Sequence, residues 1–212
     1  MKKIIIVTLL LVTSILTYGQ NTSEIIIPTF NDNYSEYVKQ LEAGQTEIDY
    51  QDFRFSFLES EQYKIAKKKS REFSSLKEKM YKEMGNSNYQ EVIKITKQML
   101  SIDYTSMLAH KILRQTYQIV SDTTNADKYK TIQFGLLYSI VNNGDGKSCE
   151  TAWPVIQISE EYFILEMLGA KLQMQSTVNN GGFCDRMDVI IDDEKKNYFF
   201  EISKLFEKYS EN

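Results

Sequence analysis

The sequence predicts an α+β fold. A layer of stacked antiparallel amphipathic helices, residues 20–143, packs on a C-terminal antiparallel β-meander, residues 144–212, as one continuous domain. Three observations lead there. From Ser60 to Asn143 apolar side chains recur at i, i+3, i+4 and i+7, the period of a half-buried helix. At Asn142-Asn-Gly-Asp-Gly-Lys-Ser148 that pattern stops. Beyond it short alternating runs are separated by Asn-, Gly- and Asp-rich turns. Helices with one apolar stripe and a meander with one apolar face each bury the other's exposed surface.

The first element is a leader. Lys2 and Lys3 precede an apolar run from Ile4 to Leu16, and Thr17-Tyr18-Gly19 places small residues before a cut ahead of Gln20. The run is shorter than the roughly 20 residues of a spanning helix. No cysteine stands at the cut, so no lipid anchor is expected. Residues 1–19 are therefore read as a signal peptide. The mature chain is expected to be exported, periplasmic or secreted, not lipid-anchored, and without a transmembrane segment.

Residues 21–62 are the least regular. Tyr34, Tyr37, Val38 and Leu41 share one face of a short helix, while Phe53, Phe55 and Phe57 alternate as in a strand. Four helical stripes follow. Ala66, Phe73, Leu76, Met80 and Met84 form the first, with Gly85 expected as a left-handed cap. Tyr89, Val92, Ile93, Thr96, Met99 and Leu100 form the second. Ala109, Ile112, Leu113, Thr116, Tyr117 and Val120 form the third, and Ala126, Tyr129, Leu136, Leu137 and Ile140 the fourth. Polar turns at 85–88, 101–105 and 121–125 are short enough to make neighbours antiparallel. Lys64, Lys67, Lys68, Lys69 and Arg71 cluster on the first helix, where a solvated face is the expectation.

After the crossover, Trp153–Ile158 reads as a strand with Pro154 near its start. Ser159-Glu160-Glu161 opens a short helix to Leu168, and Gly169 closes it. Leu172–Val178 alternates, Asn179–Gly182 signals a turn, and Met187–Ile191 is a further strand. A polar hairpin turn at Asp192–Lys196 leads to a last strand, Asn197–Ile202, and a terminal helix from Lys204 to Tyr209.

Composition narrows the function. The formal net charge is −4, which lacks the positive field of a nucleic-acid binder, so no nucleic-acid partner is expected. Gly146-Lys147-Ser148 has the ending of a phosphate-binding loop, but Val141 stands where that motif needs its first glycine. The 1 histidine, His110, lies on a helix with no relay beside it. Asp185, Asp188, Asp192, Asp193 and Glu194 lack calcium-loop spacing. No catalytic residue, metal ligand or cofactor is identified. Cys149 and Cys184 sit in a compartment expected to be oxidising, and a bridge would close a loop worth about 3 kcal/mol. Spacing alone leaves the pairing open, with two free thiols the favoured reading.

The stretch Asn88–Asp103 followed by Ala109–Tyr117 resembles a degenerate tetratricopeptide-like junction, with Tyr89 and Tyr117 at its aromatic positions and Tyr104 where proline is usual. Gly144–Trp153, Val155–Leu165, Gln173–Ser176 and Tyr198–Ile202 together resemble a family of exported proteins from Bacteroidetes-type bacteria described only as a domain of unknown function. The resemblance implies an exported, stand-alone α+β protein and transfers no reaction or ligand.

The function expected is therefore a non-enzymatic exported envelope protein that binds a protein or peptide partner. The 14 tyrosines against 1 tryptophan fit a binding surface. The alternative is a hydrolase or ligand-binding protein for cell-wall or glycan material, recognisable by two carboxylates about 5–10 Å apart in a pocket at the helix–sheet junction. The candidate interaction surface is that same junction: Asp145, Lys147, Ser148, Trp153, Glu161 and Tyr162.

Overall fold

A computed structural model describes residues 24–179 and 182–210. The expected signal peptide and the centre of the turn at 180–181 lie outside the described residues. Seven helices come first: α1 (Asn33–Glu42), α2 (Tyr50–Glu59), α3 (Glu61–Lys68), α4 (Ser70–Gly85), α5 (Tyr89–Ile102), α6 (Met107–Ile119) and α7 (Thr123–Val141). Then follow β1 (Trp153–Pro154), α8 (Ile158–Met167), β2 (Lys171–Asn179), β3 (Phe183–Ile191), β4 (Glu194–Glu201) and α9 (Ser203–Ser210). The architecture is α+β. The strands β2, β3 and β4 form an antiparallel meander, and β1 adds in parallel to β4, giving the order β1-β4-β3-β2.

Side-chain caps explain most helix starts. Asp32, Asp49, Ser60, Ser106 and Asp122 each accept a backbone N–H from the first turn of α1, α2, α3, α6 and α7. The Asp49 cap also corrects the strand expected at Phe53–Phe57. Capped there, the segment coils, and the residues it buries are Phe53, Arg54, Phe57 and Leu58, a helical set. Phe55, the middle of the apparent alternation, is left at the edge of the core. The rings of Phe53 and Phe57 pack on Tyr34 of α1, with centroids 5.5 Å and 5.0 Å away.

Four further expectations are revised. The first long helical stripe is two helices broken at Lys69, whose φ of −93° and ψ of 12° leave the α region. Gly85 is the last helical residue, and the left-handed residue that turns the chain is Ser87, at φ 56°. The strand expected over Trp153–Ile158 is only two residues long. Val155 still donates to the Glu201 carbonyl, but the Ile156 N–H turns inward to the Glu160 carboxylate at 2.7 Å, so the ladder cannot continue. The β3–β4 hairpin is tighter than its polar sequence implied, because Asp192 and Asp193 both take left-handed φ, 51° and 62°.

The core is continuous from α1 to α9. Tyr34, Phe53, Met99, Leu113 and Leu136 fill the helical part; Trp153, Phe163, Met187, Val189, Phe200 and Ile202 fill the space between α8 and the sheet. At the centre is an ion pair. Arg54 is fully buried and grips Glu160 with two bonds, Nε to Oε1 at 2.9 Å and Nη2 to Oε2 at 2.7 Å. Nη2 also donates to the Pro154 carbonyl at 3.0 Å, and Nη1 reaches the Ser139 carbonyl and hydroxyl at 3.5 and 3.4 Å. Four elements thus meet on one guanidinium.

Removing one partner strands the other as a buried charge. Arg54→Met and Glu160→Met should each cost about 3–5 kcal/mol in urea unfolding. The double replacement should cost clearly less than the sum of the two, since neither charge then remains unanswered.

Candidate functional site

The six residues expected to form one surface have separate fates. Asp145 and Lys147 lie exposed and Ser148 half-buried on the loop after α7, and all three are engaged within the loop itself. The Asp145 carboxylate accepts from the Thr151 hydroxyl at 2.6 Å and from the Lys147 N–H at 3.1 Å. The Thr151 hydrogen bond chiefly holds its pKa below the usual range, with the Lys147 contacts adding to it. Ser148 Oγ lies 3.2 Å from the Thr151 hydroxyl. Trp153 is buried beneath this loop, donating from Nε1 to the Gly144 carbonyl at 3.0 Å and stacking on Tyr198. Gly146 has φ 65°, and a Cβ there would come within 2.7 Å of the Trp153 ring. The glycine is required by this packing. Glu161 faces inward from α8, while Tyr162 faces outward and donates to the Gln175 side-chain amide oxygen at 2.9 Å.

The two cysteines are joined. Cys149 and Cys184 form a disulfide with Cα atoms 5.9 Å apart, which corrects the favoured reading of two free thiols. Spacing could not reveal it, because the sheet register that brings the start of β3 beside the loop is a long-range property. The bridge pins that loop to β3 where Cys184 pairs with Glu201 of β4.

A concavity of about 570 Å³ is a groove between helices and not at the helix–sheet junction. One wall is α3 with α4, presenting Lys67, Phe73, Lys77 and Tyr81; the other is α8, presenting Ile158, Ser159, Tyr162 and Glu166. Its floor includes Phe57, Ile102, Ile156, Phe163 and Leu205. Of the six residues expected at the surface, Tyr162 alone lines it, and Lys67 comes from the basic cluster expected to be only solvated. Tyr81, Ile158 and Tyr162 are 47%, 49% and 46% exposed, an apolar rim left open. The sequence signals this rim weakly, since Ile158 falls at the outward start of α8, in a segment expected to be a strand.

The acids of the groove are committed. Asp103 accepts from the Thr105 N–H and hydroxyl at 2.9 and 2.6 Å and from Gln157 Nε2 at 2.9 Å. Burial raises its pKa against those hydrogen bonds. Glu166 is bound by Lys111 at 2.6 Å. Neither is presented as an open acid–base pair. His110 is buried between Tyr104 and Tyr129, its Nε2 2.7 Å from the Tyr104 carbonyl, and burial lowers its pKa to about 3. It is a neutral core residue.

The fold is an α+β domain with an open groove between α4 and α8. The chain belongs to the family described as a domain of unknown function (DUF4919), which matches residues 27–211. No curated protein and no solved structure matches it. Among the described residues, no helix is long and apolar enough to cross a membrane.

Glu161 lends itself to a direct test. Both its carboxylate oxygens are buried and without a hydrogen-bond partner among the described residues. Burial, then the carboxylates of Asp185 and Glu160, push its pKa up to about 8. The folded state therefore holds a proton that the unfolded chain releases near pH 4.5, and stability falls as pH rises from there to about 8. Glu161→Gln should flatten that fall and add about 2–3 kcal/mol at pH 8, with little change at pH 4. Urea midpoints across this range check it, and an unchanged slope would refute the assignment.

Proposed function

We propose that this protein is a non-enzymatic, exported binding protein whose groove between α4 and α8 receives a segment of a protein partner. The observation that carries the reading is the open apolar rim of Tyr81, Ile158 and Tyr162 over a floor of buried aromatic and aliphatic side chains. Partly exposed aromatics beside a preformed apolar cleft have the composition of interface hot spots. A volume of about 570 Å³ lies in the range of ligand clefts. Export rests on the leader of Lys2, Lys3 and the Ile4–Leu16 run, and the Cys149–Cys184 bridge supports it because such bonds persist in oxidising compartments. The glycan-directed alternative has less support, since Asp103 and Glu166 are held in hydrogen bonds of their own.

Capture from the envelope fraction of the native host tests the binding. The wild-type protein should retain one partner that Ile158→Asp and Tyr162→Ala lose at unchanged Tm, while Lys147→Ala keeps it. Retention by both groove variants would move the site elsewhere. For export, intact-mass analysis of the host-expressed protein should find a chain beginning near Gln20 with no free thiol. Reduction of the bridge should lower stability by about 3–4 kcal/mol. A cytoplasmic product that keeps Met1 would end the export reading.

A further inference from the structure

We propose that β2 is an interface between two copies of this chain, paired edge to edge and antiparallel about Ser176, so that two four-stranded sheets become one. Among the described residues β2 has a single strand neighbour, β3, and its other edge is open. The opposite edge of the sheet is β1, two residues long, which offers no comparable ladder. Exposed edges are usually blunted by charges, proline or a bulge. In the nine residues of β2 the bulge falls between Leu172 and Met174, at one end. There the Gln173 amide turns back on the Lys171 and Leu172 carbonyls, at 3.4 and 3.3 Å. From Met174 to Asn179 the register with β3 is unbroken, and the stretch holds no charge and no proline.

The side chains of that stretch select the strand that fits it. Met174-Gln-Ser-Thr-Val178 has the same order of side-chain classes in both directions. Met174, Ser176 and Val178 share one face of the sheet; Gln175 and Thr177 share the other, beneath α8. With a two-fold axis at Ser176, Met174 meets Val178 of the second copy, Gln175 meets Thr177, and Ser176 meets itself. Each pair matches in chemistry and in face. Lys171, the one charge on the strand, falls outside the paired stretch, so no like charges oppose each other. Gln175 and Thr177 are tied to Asp185 of β3 at 2.6 and 2.7 Å, which draws them off the open edge. Pairing also covers apolar surface on both faces. Met174 is 54% exposed on one, and Tyr162, bonded to Gln175, is 46% exposed on the other. A foreign strand could use the same backbone groups, but the match of this stretch to its own reverse specifies a second copy. One strand edge buries less than the roughly 1,600 Å² of a standard interface, so the dimer is reversible.

Sedimentation equilibrium of the mature protein, disulfide intact, across roughly two decades of concentration is the test. The mean mass should rise from one chain towards two. Ser176→Glu should weaken the dimer about tenfold or more, because two carboxylates then meet at the axis. Within one chain that carboxylate stands beside Arg186 of β3, so Tm should hold. Met174→Glu should weaken association likewise, and Met174→Glu/Val178→Lys should restore it by setting opposite charges against each other across the axis. Ile158→Asp should dimerise as the wild type does, so this interface and the groove stand or fall separately. A chain that is monomeric at every concentration would overturn the proposal. So would a dimer that Ser176→Glu and Met174→Glu leave intact, or one lost on Ile158→Asp instead.

Discussion

Arg54 places a full positive charge where its surroundings leave no exposed surface, and the rest of the fold is arranged around answering it. Its carboxylate comes from α8, more than a hundred residues away in the chain, and its remaining N–H groups go to the end of α7 and to Pro154 of β1. A buried cation without these bonds would cost several kcal/mol, so the four elements are bound to one relative placement. The same carboxylate takes the Ile156 N–H, which ends β1 after two residues and starts the turn into α8. Once Glu160 points inward, the helical period sends Phe163 and Ile164 into the core and Tyr162 and Glu166 outward. The outer wall of the groove is thus set by the ion pair beneath it.

The sheet side has its own clamp. The disulfide ties the loop after α7 to β3, and Trp153 packs on Gly146 while bonding the Gly144 carbonyl. The Phe199 N–H donates to the Gly146 carbonyl at 2.8 Å, so the loop is stitched to β4 as well. Both glycines serve this packing: a Cβ on Gly144 would strike the Thr151 carbonyl. The crossover expected as part of an interaction surface is a place where backbone approaches indole.

Where the apolar period was long and local, sequence and structure agree. The buried residues of α5 and α6 include Val92, Ile93, Thr96, Met99, Ile112, Leu113 and Thr116, all legible from spacing alone. The readings that changed were those decided by distant partners. Phe53, Phe55 and Phe57 satisfy a period of two by accident of composition, and the buried arginine between them carried no apolar signal. Trp153–Ile158 has strand-like residues, but its hydrogen bonds are claimed by a helix. The groove was invisible for the same reason: its walls are some ninety residues apart in sequence, and each alone reads as an ordinary solvated helix face.

Charge balance in the layer beneath α8 ties the stability of the fold to one proton. Glu160 and Glu161 are adjacent and both buried, but there is one guanidinium for the two of them. Glu160 takes it and stays paired. Glu161 faces Asp185, already committed to Thr177 and Gln175 at 2.7 and 2.6 Å, and so keeps its proton near neutral pH. The Arg54–Glu160 pair is neutral in sum, and Glu161 in its protonated form adds nothing. Ionising Glu161 would reverse this by placing an unanswered negative charge on the inner face of the helix that carries Ile158 and Tyr162. A buried proton on Glu161 thus spares α8 an unanswered charge on the face it turns to the sheet.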